Sequence, residues 1–462
     1  MKKLESFKRL ILLSMSGVCL GVQILIYAYF WQKHFFPDVE RYLPFWERGH
    51  WLIIGIYAVL MMFFSSMYGG SRVGYKKNSE VIFSQAFATL AVNVITYFQL
   101  SLMVLELYYP PIYAAMMVVQ LVWVIVWINI SCFIYRNIFP PRRLLVVHGD
   151  RPVDGILAKF AGRKDKFEVS KCIHINAGVD AVNAEALERY DAVVILDIED
   201  KKRNRILKFC YGHGIRTYVM PKISDVIMKG AEELRIFDTP LFLTREYSLS
   251  IEQRFFKRCI DVVLAFLLIV ISSPFMLLTA IAVKLYDGGP VLYKQVRCTV
   301  GNKQFKILKF RSMRVDAEKD GVARLAAKKD SRVTPVGKFI RKVRLDELPQ
   351  LVNILMGDMS FIGPRPERPE IIAQYMETMP EFAFRTKVKA GLAGYAQVYG
   401  KYNTTPHDKL KLDLAYIENY SVWLDVKLMM LTLKILFWPD STEGVEGDQI
   451  TAEKKENGDV GM

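Results

Sequence analysis

Four long apolar stretches fill the first third of the chain, at roughly Leu10–Trp31, Trp51–Tyr68, Ile82–Leu107 and Ile112–Tyr135. Each is long enough to cross a bilayer core, which takes about 20 helical residues. The first lacks a small-residue cleavage site and three more follow it, so it reads as an anchor rather than a leader. After Pro140–Pro141 the pattern changes. RLLVVHGD, YDAVVILDI and IRTYVMP are short apolar runs separated by helical stretches, the mark of a doubly wound parallel sheet. A further apolar run, Val262 to Val283, is interrupted by Ser272-Ser273-Pro274. GNKQFKILKFRSM alternates cationic and apolar positions and predicts a strand with one basic side. Leu345, Leu348, Leu351, Val352 and Leu355 fall at helical spacing and predict a helix from about Glu347 to Met356, capped by Asp346 and ended by Gly357. The tail beyond residue 440 is polar, acidic and Gly-rich, a composition expected to be disordered.

These elements divide the chain into a four-helix transmembrane bundle over 1–140, a Rossmann-like α/β domain over 141–248, an α-rich domain over 249–440 and a tail over 441–462. Composition agrees with a membrane protein: 52% of the 462 residues are apolar, and the mean hydropathy is +0.18. The loops set the orientation. Lys2, Lys3, Lys8 and Arg9 precede the first stretch, Arg72, Lys76 and Lys77 follow the second, and Arg136, Arg142 and Arg143 follow the fourth, whereas Tyr108–Pro111 has no Lys or Arg. The positive-inside rule places the amino terminus and everything after residue 136 in the cytoplasm. A fifth crossing by Val262–Val283 would carry the next, strongly basic segment outside. Pro274 also breaks or bends a helix, and Ser hydroxyls can take up the carbonyls it frees. The run is therefore expected to be a re-entrant helix–break–helix over 255–286, broken at Ser273 and Pro274, that makes the third domain monotopic. Arg254, Lys257 and Arg258 are expected at the head-group layer, facing a lipid phosphate, with Asp261 one turn away and able to pair with Lys257 or Arg258.

The net charge of +15 points to anionic lipids or phosphorylated substrates. No nucleic-acid recognition motif accompanies it, so no nucleic-acid partner is expected. The six scattered cysteines have no metal or redox spacing. HGDRPVDG, after the first predicted strand, has Gly149 and Gly155 without the Gly-x-Gly-x-x-Gly spacing of a dinucleotide loop. Asp346 and Glu347 are the chemical focus. A cap and a dipole partner explain them as well as chemistry does. A helix amino terminus is also an anion site, adjacent carboxylates suit Mg²⁺, and a carboxylate can act as nucleophile on phosphorus once cations neutralise the substrate. Arg341, Arg344 and Arg365 are candidate clamps, the last stiffened by Pro364 and Pro366.

The motifs FKRCIDVVLAFLLIVISSPFMLL, KFRSM, LDELPQLVNILMGDMSFIGPRPE, GLAGYAQVYGK and KLKLDLAYIENYSVWLDVKLM, in this order from Arg254 to Phe437, resemble those of the bacterial polyprenyl-phosphate sugar-1-phosphate transferases. The resemblance implies transfer of hexose 1-phosphate from a UDP-sugar, UDP-glucose or UDP-galactose, to undecaprenyl phosphate with release of UMP, at the start of capsular or exopolysaccharide synthesis. It implies Asp346 as nucleophile of a covalent phospho-sugar intermediate and Mg²⁺ at Asp346 and Glu347. It adds Lys309, Arg311 and Gln397 to the substrate-binding residues, with Arg341, Arg344, Pro364, Arg365 and Pro366. It implies a multi-pass protein of the bacterial cell membrane with its site on the cytoplasmic face, and it allows a homodimer. Many members carry Pro-Gly-Ile-Thr-Gly-Trp where this chain has Ala390-Gly391-Leu392-Ala393-Gly394-Tyr395, a departure that bears on sugar identity. Two other readings are a membrane-anchored nucleotide-binding regulator and a nucleotide-sugar oxidoreductase. Both need a nucleotide loop that the middle domain does not display.

Overall fold

The computed structural model describes residues 5–42, 49–244, 248–315, 332–400 and 404–436. The tail over 441–462 lies outside them. The chain forms two compact units, Met1–Met220 and Pro221–Met462.

The first unit opens with four apolar helices: α1 (Lys8–Phe30, continuing through a π-helical turn to Glu40), α2 (Gly49–Tyr68), α3 (Asn78–Val104) and α4 (Pro110–Ile138). All four are long and apolar enough to cross a membrane. Their outward positions, such as Leu25, Leu52, Phe98 and Phe133, are apolar and exposed, while Gln23, Tyr57, Asn93 and Gln120 are buried between helices. Asn93 Nδ2 donates to Gln120 Oε1 at 2.7 Å, Gln120 Nε2 to Tyr57 Oη at 2.8 Å, and Thr89 Oγ1 to Gln23 Oε1 at 2.7 Å. Such groups find partners across helices because hydrocarbon offers none.

After the bundle come β1 (Arg142–His148), α5 (Asp154–Ala161), β2 (Phe167–His174), α6 (Val179–Ala186), β3 (Ala192–Leu196), α7 (Asp200–Gly212) and β4 (Arg216–Val219). The sheet is wholly parallel in the order β2-β1-β3-β4. The three predicted strands are β1, β3 and β4. The fourth, β2, pairs among the described residues only with β1. On that edge FEVSKCIH stays half open to solvent, so no continuous apolar run marks it. Gly149 serves close packing. A Cβ there would come within 2.3 Å of the Asp197 carbonyl oxygen, so glycine lets the ends of β1 and β3 close together.

The second unit begins with α8 (Ile223–Lys229) and a hairpin of β5 (Glu232–Ile236) and β6 (Thr239–Leu243). The long helix α9 (Ile251–Asp287) follows, started by a capping box of Ser250 and Gln253. Next are an antiparallel pair, β7 (Leu292–Cys298) and β8 (Gln304–Phe310), then α10 (Pro335–Lys342), α11 (Gln350–Met356), β9 (Ser360–Ile362), α12 (Pro369–Thr378), β10 (Gly391–Ala393), α13 (Tyr395–Tyr399), α14 (Pro406–Glu418) and α15 (Val422–Leu436). Strands β9 and β10 pair in parallel. Ala265, Phe305, Leu351, Ile354, Met359 and Leu428 lie in one buried core.

The break expected at Ser273 and Pro274 does not interrupt α9, which is one helix from Ile251 to Asp287. Pro274 cannot donate to the Val270 carbonyl. Ser273 Oγ does so instead, at 2.8 Å, and Ser272 Oγ takes the Leu268 carbonyl at 2.6 Å. Both halves pack on this one unit: Leu264, Ala265 and Ile269 in its main core, Met276, Ala280 and Val283 against Phe310 and Ile340. The opposite side, with Phe266, Ile271, Phe275 and Leu278, is apolar and exposed.

Two of the charged residues at the start of α9 differ from expectation. Lys257 and Asp261 are buried, so neither faces a head-group layer, and they do not pair with each other. Lys257 Nζ donates to Asp425 Oδ2 at 2.6 Å, to Ile362 O at 2.8 Å and to Tyr416 Oη at 3.2 Å. Asp261 Oδ1 accepts from Ser360 Oγ and the Phe361 N–H, both at 3.0 Å. Arg258 donates to the Ile354 and Leu355 carbonyls at the end of α11, at 2.7 Å each, and Arg254 Nε to Leu249 O at 3.0 Å. A helix that is apolar outside needs inward polar groups only where they meet partners, and these meet the strand β9 and its neighbours. Lys257→Met would leave Asp425 buried without its cation and should lower stability by roughly 3–5 kcal/mol. Thermal unfolding in detergent measures this, and adding Asp425→Asn should recover part of the loss.

Candidate active site

The site is built around a turn. Arg344 adopts a left-handed backbone, φ 58°, after the end of α10, and Leu345–Glu347 form a single 3-10 turn. The predicted helix start at Glu347, capped by Asp346, is therefore corrected: α11 begins at Gln350 and Asp346 makes no cap. Leu348 and Pro349 already have helical backbone angles, but Pro349 has no N–H to continue the bonding, so α-helical hydrogen bonds set in only beyond it. Gly357 ends α11 in the left-handed conformation, φ 95°, as predicted.

The turn aims Glu347 at three cations. Lys309 Nζ, from β8, lies 3.0 Å from Glu347 Oε1. Arg365 Nη2, from the segment after β9, lies 3.3 Å from the same oxygen, and Arg344 Nη1 3.9 Å from Oε2. Burial acts to raise the Glu347 carboxyl, but the charges of Lys309, Arg365 and Arg344 overcome it and hold the group well below the usual carboxylate range. Asp346 behaves oppositely. Burial, and then the charge of Glu347, push its carboxyl above that range despite Lys309, Arg341 and Arg344. No hydrogen bond reaches the Asp346 carboxylate among the described residues. One carboxylate is thus committed to cations and its neighbour is uncommitted.

This pair can serve a hard cation. Among the described residues no cluster of three or more His, Cys, Asp or Glu could hold a metal. Mg²⁺ needs only one or two carboxylates, with substrate phosphate oxygens and water completing its shell. Asp346, together with the less tightly held Oε2 of Glu347, fits that requirement.

Of the predicted site residues, Asp346, Glu347, Lys309, Arg344 and Arg365 come together, and Arg341 is near enough for its charge to act on Asp346. Pro364 and Pro366 flank Arg365 as predicted. Arg311 does not join: it is buried and ion-paired with Asp287 at the end of α9. Gln397 sits on α13, where its Nε2 donates to Leu392 O at 3.4 Å, and no contact among the described residues links it to the acidic pair. The altered segment Ala390–Tyr395 abuts the site: the Gly391 N–H donates to Pro364 O at 2.9 Å, and the Gly363 N–H to Ala393 O at 2.9 Å.

Sequence reasoning missed a second charge cluster behind the turn. Glu367 meets Arg385 at 3.6 Å, Arg297 at 3.8 Å and Lys409, and Arg385 Nη2 meets Asp413 Oδ2 at 2.8 Å. The available signal was Glu367 itself, directly after Pro-Arg-Pro. Its partners come from three distant stretches that no spacing connects.

The family model for bacterial sugar transferases matches residues 252–439. The chain is 38% identical over 255 residues to the UDP-N-acetylgalactosamine-undecaprenyl-phosphate N-acetylgalactosaminephosphotransferase of Aeromonas hydrophila, covering 54% of this chain and 59% of that one. It is 40% identical over 211 residues to the UDP-glucose:undecaprenyl-phosphate glucose-1-phosphate transferase of Escherichia coli, covering 45% and 44%. It is 40% identical over 190 residues to a protein of the same name from Caulobacter vibrioides, covering 40% and 71%. The similarity spans about half the length of the first two relatives, and every member of the candidate site falls within the matched region.

The missed cluster has a pH signature. Burial acts to raise Glu367, but Lys409, Arg385 and Arg297 outweigh it and bring the carboxyl from 4.5 down to about 2. A carboxyl depressed by folding contributes stability that is complete above its unfolded value and is lost as pH falls through its folded one. Glu367→Gln should therefore be less stable than the parent at neutral pH, by up to about 3 kcal/mol. The two should converge as pH drops through the 4.5-to-2 window. Thermal unfolding in detergent from neutral pH to about pH 3 tests this, and a gap that ignores pH contradicts it.

Proposed function

Because the chain belongs to the bacterial sugar transferase family, we propose that it moves a hexose 1-phosphate from a UDP-sugar to undecaprenyl phosphate, releasing UMP and starting a capsular or exopolysaccharide repeat unit. The observation that carries this reading is the uncommitted Asp346 carboxylate beside a Glu347 that gathers Lys309, Arg344 and Arg365. UDP-glucose is the donor proposed first and UDP-galactose next. Two of the relatives above are named for glucose 1-phosphate.

In the first step an Asp346 oxygen forms a bond to the sugar-bearing phosphorus, the bond from that phosphorus to UMP breaks, and UMP leaves with the electron pair. In the second step an oxygen of undecaprenyl phosphate attacks the same phosphorus. The aspartyl bond breaks and the Asp346 carboxylate is restored. Two steps on one carboxylate suit two bulky substrates that cannot share the site. Lys309, Arg344 and Arg365 supply positive charge where the diphosphate would lie, and Glu347 keeps those cations placed before substrate arrives. Asp346 and Glu347 are the residues that would hold Mg²⁺, which would supply further neutralisation of the diphosphate.

The lipid substrate requires a site at the bilayer surface. We place α9 as a re-entrant element in the cytoplasmic leaflet, because both of its halves pack on one unit while its outer face is apolar. Helices α1–α4 span the membrane with the amino terminus inside.

Asp346→Asn should lower UMP release from UDP-sugar and undecaprenyl phosphate by about 10³-fold or more while the protein stays folded and membrane-bound. Quenched turnover of the parent should trap a phospho-sugar on the peptide holding residue 346, and an adduct elsewhere would contradict the mechanism. For topology, a cysteine at Tyr286 in a cysteine-free background should react with an impermeant thiol reagent only after the membrane is opened. Labelling of intact cells would mean that α9 crosses.

A further inference from the structure

The segment Pro364–Glu367 carries Arg365 to Glu347, yet it belongs to no helix or strand. Two of its four residues are prolines and cannot donate a backbone hydrogen bond, so it cannot be tied down by a ladder of its own. Instead each of its four carbonyls is taken from outside. Pro364 O accepts from the Gly391 N–H at 2.9 Å and Glu367 O from the Cys298 N–H at 3.0 Å. Arg365 O accepts from Arg385 Nη2, and Pro366 O from Arg297 Nη1, both at 3.1 Å. Two of these four donors are guanidinium groups from the buried charge cluster.

Arg385 is the more firmly seated of the two. It is 3% exposed. Its Nε and Nη2 reach Asp413 Oδ2 at 3.0 and 2.8 Å, and its Nη1 lies 3.6 Å from Glu367 Oε1. The planar fork serves two carboxylates and a main-chain carbonyl at once, in fixed directions that the single ammonium nitrogen of a lysine does not reproduce. Arg385 touches neither Asp346 nor Glu347 among the described residues. Its route to the site runs through the Arg365 backbone.

Resting on the transfer reading above, we propose that Arg385 is a positioning residue: by holding the Arg365 carbonyl, it sets where the Arg365 guanidinium meets Glu347 and the transferred phosphate. The cluster of Arg385, Asp413 and Glu367 then does more than stabilise the fold, because a shift of Arg365 misplaces charge at the phosphorus.

A double-mutant cycle on the full-length protein in detergent tests this. Arg385→Lys should lower kcat for UMP release by about 10-fold or more, with the KM for UDP-sugar changed by less than about threefold. If Arg385 acts through Arg365, Arg385→Lys with Arg365→Lys should lose no more than Arg365→Lys alone, within about twofold. A second readout needs no turnover. Phenylglyoxal modification of Arg365, followed by peptide mass spectrometry, should run about fivefold faster or more in Arg385→Lys, approaching the rate in Glu347→Gln, where the ion pair itself is removed. Asp413→Asn, which loosens Arg385 without deleting it, should show the same pattern more weakly and carries the test if Arg385→Lys does not fold. Losses that multiply, or an Arg365 labelling rate equal to the parent's, would overturn the proposal. A parent protein that releases no UMP, with Arg365 labelling still accelerated in Arg385→Lys, would sink the transfer reading and leave the positioning role standing.

Discussion

A carboxylate taken out of water must be compensated, and Glu347 is compensated by three cations drawn from separate parts of the chain. Lys309 comes from β8, Arg344 from the residue that turns the chain out of α10, and Arg365 from the segment after β9. The hairpin, the left-handed residue and the Pro-Arg-Pro segment converge because their charged ends share this one acceptor. Asp346 shares the desolvation and feels the charge of Lys309 and Arg344, but no ion pair to it forms among the described residues. Two adjacent residues of nearly the same chemistry thereby become opposites: one organises positive charge, and the other holds a carboxylate that no hydrogen bond or ion pair among the described residues engages.

The long helix α9 shows how such a site can be built against an apolar element. Its outer side is hydrocarbon-like, while Lys257 and Asp261 on its inner side both hold β9, the first through the Ile362 carbonyl and the second through Ser360 and Phe361. The residues that follow β9 are Gly363 and the Pro-Arg-Pro segment. Helix, strand and Arg365 therefore form one mechanical series, in which each link is a buried polar contact costly to lose. Cys298 lies in the buried core of the unit, and Gly391 and Gly394 let the backbone approach Gly363.

Helix positions were legible in the first third of the chain because an apolar run of hydrocarbon length is rarely anything but a helix, and the four apolar helices fall where hydropathy put them. The strands β1, β3 and β4 were legible as buried apolar runs. Strand β2 was not, since an edge strand with an open face shows neither a continuous apolar run nor a clear alternation. The acidic pair and three of its cationic neighbours, Arg341, Arg344 and Arg365, were nameable in advance because charge excess along the chain is a local property, and the family resemblance added Lys309. The resemblance that named Lys309 named Arg311 with it, but in the folded unit Asp287 claims Arg311.

Sequence alone determined which segments are apolar enough for a membrane, where the acidic pair stands and that cations surround it along the chain. Only the folded unit decided which cation meets which acid. Lys257 with Asp425, Arg385 with Glu367 and Asp413, and Arg365 with Glu347 are set by through-space distances of 2.6–3.6 Å between residues from separate elements. Coulomb attraction and desolvation depend on those distances and on burial. Neither quantity exists until the chain has closed on itself.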